Sequence, residues 1–179
     1  MKKSFTKYVG FIICLLLAAS VHSQELVYPV PNGNPKQLFF LQRPPNINTI
    51  VYELNYNKNG ELNNDEPVHV FWIRYGDKGE RAELSYVQRN FAYGIKSKPL
   101  AKNSYELHFV SYKKMPLYLK LGADNKYGIY ATINQKQIIL KRIFVKINGG
   151  SFWFPNVEYA ELKGNDIATG QEITERMKI

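Results

Sequence analysis

Beyond its N-terminal segment, this chain carries its apolar residues in short runs that proline, glycine and asparagine separate. Runs of this length favour strands, because helices in globular domains need longer stretches. Between residues 117 and 121 leucine alternates with tyrosine and lysine, which is typical of a strand with one buried face and one solvent-exposed face. Strands are predicted at Leu38–Gln42, Thr49–Leu54, Val68–Tyr75, Tyr105–Tyr112, Pro116–Gly122, Tyr127–Asn134, Gln137–Ile147 and Val157–Leu162.

About eight strands at spacings near ten residues predict a mainly β protein, an antiparallel β-sandwich or barrel. One short helix is predicted over residues 82–93. Its apolar positions Leu84, Val87 and Phe91 recur at helical spacing, and Gly94 follows at a cap position. The same segment could also alternate as a strand.

The first 23 residues have the layout of a secretory signal peptide. Three lysines precede an apolar run from Val9 to Ala19, and its 11 residues are well short of the roughly 18 that a membrane span needs. Residues 24–179 are therefore predicted to form a single exported β-rich domain without a transmembrane segment. The only cysteine, Cys14, precedes the predicted cleavage, so the mature chain is expected to have no disulfide and no thiolate.

Positive charge is concentrated in one part of the chain. Residues 91–150 hold eleven basic residues against Glu106 and Asp124, whereas the whole chain has a net charge of +9. Such a field favours an anionic partner, either an envelope component or an acidic polymer, with no specific nucleic acid. The alternative is a solvated surface that maintains solubility. The candidate residues for a basic face are Lys113, Lys114, Lys141 and Arg142.

The segment from residue 55 to 66 has the oxygen spacing of the twelve-residue EF-hand calcium loop. Asparagine replaces the usual first aspartate, and Pro67 disfavours the helix that would present the last ligand. Asparagine and glycine are also ordinary turn residues. The segment is predicted to be a turn that binds calcium weakly or not at all, with no other cofactor. The candidate ligands are Asn55, Asn57, Asn59, Glu61 and Glu66.

The two histidines of the mature chain offer the alternative of an enzyme. His69 or His108 could serve acid–base chemistry of a hydrolase type together with Asp65 or Glu66. Their spacing matches no recognised ligand pattern, and lone histidines are more often structural. A non-enzymatic protein is therefore predicted.

Residues 66–95, EPVHVFWIRYGDKGERAELSYVQRNFAYGI, concentrate aromatic side chains and arginines. Together these side chains can form stacking surfaces, bidentate anion sites and cation–π pairs. The alternative is that the aromatic rings pack in the core and the arginines lie at strand ends. The candidate ligand-binding residues are Arg43, Trp72, Arg74, Arg89 and Tyr93.

The stretches QRPPNINTIVYELN, EPVHVFWIRY and SYVQRNFAYGI resemble domain-of-unknown-function family 4833, a family of uncharacterised exported bacterial proteins. The resemblance extends over Pro29 to Ile179. It implies an exported single-domain protein of the bacterial periplasm or cell envelope. The family brings no established activity, so it assigns no residue a role.

The resulting hypothesis is an exported, non-enzymatic binding or envelope-associated module that presents a basic face to an anionic partner. Besides the hydrolase, a second alternative is a β-barrel carrier of an apolar ligand. A carrier needs a sizeable interior cavity. The residues predicted to line it are Leu117, Leu119 and Phe109.

Overall fold

The structure is a computed structural model that describes residues 26–151 and 154–179, so the predicted signal peptide at residues 1–23 lies outside the described residues. In the described ranges a 3-10 turn lies at Tyr75–Asp77 and a π-helical turn at Gln88–Ala92. The strands of the described part are β1 (Gln37–Gln42), β2 (Thr49–Leu54), β3 (Val68–Arg74), β4 (Glu80–Glu83), β5 (Ile95–Ala101), β6 (Ser104–Phe109), β7 (Leu117–Leu121), β8 (Tyr127–Ile133), β9 (Lys136–Gly150), β10 (Pro155–Asp166) and β11 (Glu172–Met177).

The strands form one mixed sheet that curls into a half-barrel. The order is β4-β3-β2-β1-β9-β8-β7-β6-β5, and β10 pairs with β9 and β11. β10 pairs with one edge of β9 over most of the length of β9. On the other edge of β9, β8 pairs with residues 136–139 and β1 pairs with residues 142–144. The long β9–β10 hairpin therefore joins the two arms of the sheet.

The concave side of the curled sheet holds the main core. The rings of Phe39 in β1 and Tyr52 in β2 stack at 4.2 Å between centroids. The ring of Phe109, at the end of β6, meets Tyr52 edge-on at 5.8 Å. Such pairs contribute about 0.5–1.5 kcal/mol beyond the burial of their area. These contacts bring the β1–β4 arm against the β5–β8 arm.

A β-bulge in β9 sets which side chains face inward. Lys163 of β10 lies opposite Arg142, but the next residue, Gly164, lies opposite Leu140. On a regular strand, residues 140 and 143 would point to opposite faces of the sheet. The bulge adds one residue to β9, so Leu140 and Ile143 are both buried on the same face. A Cβ atom on Gly164 would lie 2.3 Å from the carbonyl oxygen of Ile139, so only glycine permits this close pairing.

The mainly β fold is confirmed, but the predicted count of about eight strands and the wholly antiparallel arrangement are wrong. All eight predicted strands occur, and all except β2 have shifted ends. β4, β5 and β11 are additional, and each lies at an edge of the sheet. Edge strands tolerate charged and polar residues because one side stays open to water, so apolar runs do not reveal them. The sheet is mixed because β1 pairs in parallel with β9.

The helix predicted over residues 82–93 is also too long. Ala82 and Glu83 pair with β3 as part of β4. Ser85 and Gln88 form reciprocal hydrogen bonds, in which the side chain of each accepts from the backbone N–H of the other, at 3.0 and 3.3 Å. This is a capping box, and it starts the helical turn only after Ser85. No helix in the described part of the chain is long and apolar enough to cross a membrane.

Candidate ligand-binding site

An open pocket of about 740 Å³ lies inside the curl of the sheet. Its walls are mainly apolar and come from the ends of β1 and β6, the β6–β7 loop and the inner face of the β9–β10 hairpin. Ligand pockets commonly enclose roughly 300–1,000 Å³ and combine apolar walls with a few polar groups. The pocket therefore has the size and lining of a site for a small, largely apolar molecule. Its apolar walls include Leu41, Phe109, Met115, Ile143, Val145 and Val157.

A fixed guanidinium group lies in the wall of this pocket. The Nε atom of Arg43 donates to the phenolic oxygen of Tyr93 at 2.6 Å. A second nitrogen of Arg43 donates to the carbonyl oxygen of Pro44 at 3.1 Å. No carboxylate among the described residues forms an ion pair with Arg43. The half-buried arginine is thus held by neutral groups, and among the described residues its other N–H groups have no hydrogen-bond partner, which leaves them available to an anion.

Tyr93 is fixed in turn by the core. The hydroxyl of Tyr52 donates to the backbone carbonyl of Tyr93 at 2.9 Å. Trp72 meets the Tyr93 ring edge-on at 5.1 Å, and its indole N–H donates to Gln88 at 3.3 Å. Burial raises the pKa of Tyr93, and the nearby charge of Arg43 opposes only part of that rise. The phenol therefore remains a neutral acceptor for the arginine near pH 7.

The chain matches a family model described as Domain of unknown function (DUF4833) over residues 39–176. It belongs to the DUF4833 family. No curated protein and no solved structure gives a significant match. The resemblance seen in the sequence is thereby confirmed, and the matched part of the DUF4833 domain includes both Arg43 and Tyr93.

Three of the five predicted aromatic and arginine residues come together in the DUF4833 domain. Arg43 and Tyr93 line the pocket, and Trp72 packs behind Tyr93. Arg74 is exposed at the end of β3 and does not line the pocket. Arg89 lies elsewhere, where it forms ion pairs with two glutamates.

The residues predicted for a basic face occupy two places. Lys113 and Lys114 are exposed in the β6–β7 loop, between two residues that line the pocket. Arg142 lies on β9 and donates to the side-chain oxygen of Gln42 at 2.9 Å. The neighbouring Lys141 is at the β9 bulge. Only the two loop lysines are therefore placed to meet a ligand that enters the pocket.

The predicted calcium loop folds as a tight hairpin. The side-chain oxygen of Asn57 accepts hydrogen bonds from the backbone N–H groups of Asn59 and Glu61, at 2.9 and 3.0 Å. The side-chain amide of Asn55 donates to the carbonyl oxygen of Glu66 at 2.8 Å. The Glu66 carboxylate pairs with an arginine. Within the described ranges, no group of three or more His, Cys, Asp or Glu side chains could hold a metal ion.

His69 lies among charged side chains on the outer face of β2–β4. Its Nε2 atom lies 2.9 Å from a carboxylate oxygen of Glu83. Its Nδ1 atom lies 3.0 Å from a guanidinium nitrogen of Arg81, which can only donate. The same Nδ1 atom lies 3.4 Å from a carboxylate oxygen of Glu53. Arg81 also donates to Glu53 at 2.8 Å, so the acidic neighbours of His69 are Glu53 and Glu83, not Asp65 or Glu66.

His108 lies on β6, and its ring is also fully engaged. Its Nδ1 atom lies 3.0 Å from the carbonyl oxygen of Lys113, and its Nε2 atom lies 2.7 Å from a carboxylate oxygen of Glu106. Both ring nitrogens thus face acceptor oxygens of neighbouring protein groups. Neither histidine lines the pocket.

The three residues predicted to line a carrier cavity lie in different places. Phe109 lines the pocket, whereas Leu117 and Leu119 are completely buried in the core. The sequence interpretation overlooked the wall that β9 provides. Apolar residues at positions 143, 145 and 147 alternate along that strand, and this alternation was the available signal.

Proposed function

We propose that this DUF4833 protein is an exported, non-enzymatic binding protein for a small anionic amphiphile. The apolar chain of the ligand enters the pocket, and its anionic head group contacts Arg43. The observation that carries the proposal is an apolar pocket whose wall contains the ordered guanidinium group of Arg43, which no carboxylate of the described residues pairs with.

The apolar lining supports a ligand with a hydrocarbon chain. Each buried CH₂ group contributes about 0.8 kcal/mol, so a chain inside a largely apolar cavity can supply most of the binding free energy. Few polar groups line the deeper wall, where β9 contributes aliphatic side chains at three alternate positions. A ligand covered with hydroxyl or amide groups would leave those groups without partners.

The charges around the pocket support an anionic head group. Arg43 is held by a phenol and a carbonyl, both neutral, so its charge is not neutralised within the described protein. Lys113 and Lys114 add positive charge on the loop that carries Tyr112 and Met115. Charged hydrogen bonds at a partly buried site are about twice as strong as neutral ones. This part of the proposal keeps the basic surface of the sequence hypothesis but places its centre at Arg43.

The positions of the histidines support binding rather than hydrolysis. Both lie outside the pocket, and each is engaged by neighbouring protein groups at its two ring nitrogens. The predicted signal peptide extends the proposal to the periplasm or cell envelope. There, such a protein would carry or sense an amphiphile that is poorly soluble in water.

A series of linear carboxylates tests this proposal. Octanoate, decanoate and dodecanoate are titrated calorimetrically into the mature protein, residues 24–179. Each added pair of CH₂ groups should tighten binding about tenfold or more, because about 1.6 kcal/mol is gained. Affinity that does not change with chain length would contradict a buried hydrocarbon chain.

The head group is tested by comparing dodecanoate with 1-dodecanol. Arg43→Gln should weaken dodecanoate binding about tenfold and leave 1-dodecanol unchanged. Arg74→Gln is the matched control, because it removes the same charge from an exposed position outside the pocket. An equal effect of the two variants would show that only the overall charge matters.

A further inference from the structure

Lysines are concentrated in the β5–β8 arm of the sheet. Residues 95–126 hold seven lysines and only two acidic residues, Glu106 and Asp124. His108 engages Glu106 at 2.7 Å. In the described chain none of these seven lysines pairs with a carboxylate. The arm therefore carries positive charge that no carboxylate of the described residues pairs with.

Part of this charge lies beside half-buried aromatic rings on the outer side of the sheet. Leu107, Leu117 and Leu119 point into the core, so the alternate residues of the same strands point outward. Tyr118 of β7 lies directly opposite Tyr130 of β8 on this outer side. We call the outward residues Lys96, Lys98, Tyr118, Lys120 and Tyr130 the tyrosine–lysine face. Glu106, which His108 engages, lies on the same side between Lys98 and Tyr118.

The two tyrosines lie close to the sheet, next to a lysine. The Nζ atom of Lys120 is 5.1 Å from the ring centroid of Tyr118 and 5.9 Å from that of Tyr130. Gly128 follows Lys120 in the cross-strand row, and a Cβ atom there would be 3.5 Å from the Tyr130 ring. At that distance a Cβ atom would be in ordinary van der Waals contact with the ring, so the Tyr130 ring lies directly beside Gly128. The result is an aromatic surface bordered by cations.

Protection of the sheet edge explains only part of this arrangement. β5 is an edge strand, and lysines there prevent pairing with other molecules. That role accounts for Lys96 and Lys98. It does not account for Tyr118, Lys120 and Tyr130, because they lie on β7 and β8, which are paired on both sides.

We propose that the tyrosine–lysine face binds an acidic polysaccharide. The C–H faces of the sugar rings pack on Tyr118 and Tyr130, and the sugar carboxylates contact Lys98 and Lys120. Point charges on flexible stems suit the regularly repeated carboxylates of such a polymer. The site is separate from the pocket, since none of its five residues lines that cavity.

Polygalacturonate is a suitable probe, with neutral dextran and single-stranded oligo-dT as comparison polymers. Calorimetry of the mature protein should show binding to polygalacturonate at 50 mM salt. The affinity should be at least tenfold weaker at 200 mM salt, and dextran should not bind. Absence of binding at 50 mM salt would overturn the proposal. Binding of oligo-dT that is equally tight would also overturn it, because the face would then be a general polyanion site.

Substitutions separate the contribution of the rings from that of charge. Tyr118→Ala with Tyr130→Ala should weaken polygalacturonate binding at least tenfold, as should Lys98→Gln with Lys120→Gln. Lys78→Gln, in the turn before β4, is the single-charge control and should change affinity less than twofold. If the tyrosine variant is unstable, Tyr118→Leu alone should still weaken binding severalfold. Unchanged polygalacturonate affinity in a folded tyrosine variant would refute the stacking. Dodecanoate affinity should be unaltered in all of these variants.

Discussion

Arg43 and Tyr93 stand 50 positions apart in the sequence, yet the arginine Nε atom donates to the tyrosine hydroxyl at 2.6 Å. This contact joins the end of β1 to the helical turn before β5. It also fixes a flexible side chain in the pocket wall before any ligand arrives. An ordered side chain loses less conformational entropy on binding, so this hydrogen bond should contribute to affinity without touching the ligand.

Removal of the hydroxyl tests that role. Tyr93→Phe should lower the free energy of unfolding by about 0.5–1.5 kcal/mol, the usual net contribution of one hydrogen bond. Dodecanoate affinity should fall severalfold while 1-dodecanol affinity is retained. Tyr86→Phe is the control, because Tyr86 is 77% exposed. A variant that still prefers the carboxylate as strongly as wild type would show that the contact does not position Arg43.

Acid should weaken the cluster on the outer face of β2–β4. Burial tends to raise the pKa of Glu53, but hydrogen bonds from Arg81 and His69 outweigh it, so the pKa lies below its ordinary value of 4.5. The folded state therefore favours the carboxylate, which stabilises the fold above pH 4.5. This contribution is lost as the pH falls through the lowered pKa.

Glu53→Gln should accordingly lower the free energy of unfolding at pH 7 by about 1–3 kcal/mol. The difference between wild type and variant should shrink below pH 4.5, the ordinary pKa of the group. Urea unfolding at pH 7, 4 and 3 measures both effects. Glu80→Gln, at an exposed position of β4, is the control. A difference independent of pH would rule out the charge as its origin.

The interior strands were predictable because their apolar residues had to alternate or form runs. β2 begins and ends where the sequence predicted, at Thr49 and Leu54. The three strands without a prediction are edge strands, where one side meets water and charged sequences such as ERAE are permitted. The parallel pairing of β1 with β9 depends on residues about a hundred positions apart, such as Phe40 and Arg142. No local pattern encodes such a pairing.

The pocket was less predictable than the fold. Arg43 and Tyr93 were candidates because of their residue types, but only the three-dimensional fold brings them together. The aliphatic wall depends on the bulge near Arg142, which turns Ile143 toward the interior. A bulge has no reliable signal in a single sequence, since it depends on the partner strand.

Calcium should bind weakly at most. The Asn57 side-chain oxygen is already used by two backbone N–H groups, and Glu66 is paired with Arg89. A calcium ion would have to displace these contacts and would gain few carboxylates, which places affinity on the order of millimolar. Calorimetric titration of wild type and Glu66→Gln measures it. Micromolar binding that the substitution abolishes would contradict this prediction.

Binding to anionic membranes should depend more on the predicted basic residues of the β6–β7 loop than on those of β9. Lys113→Gln with Lys114→Gln should remove most binding to phosphatidylglycerol vesicles at 50 mM salt, since both lysines are exposed beside the pocket. Lys141→Gln with Arg142→Gln removes the same charge and should have a smaller effect, because Arg142 is engaged with Gln42. Vesicle sedimentation measures both variants. Equal losses would indicate a diffuse electrostatic effect.

Export should remove the N-terminal segment. The short apolar run and the small residue at Ser23 predict a mature chain that starts near Gln24 and contains no thiol. N-terminal sequencing of the exported form, with its intact mass, measures this. A product that retains Cys14 with an attached lipid would contradict the prediction.

The pocket itself is tested most directly by filling it. Val157 lines the cavity wall and is half-buried, so Val157→Trp should occupy the space without altering Arg43. Calorimetric titration with dodecanoate should give one site in the wild type, with a dissociation constant on the order of 10 µM. In the variant, binding should be at least tenfold weaker at an unchanged melting temperature. Equal affinity in the two proteins, or no binding to wild type at millimolar dodecanoate, would contradict the pocket as the ligand site.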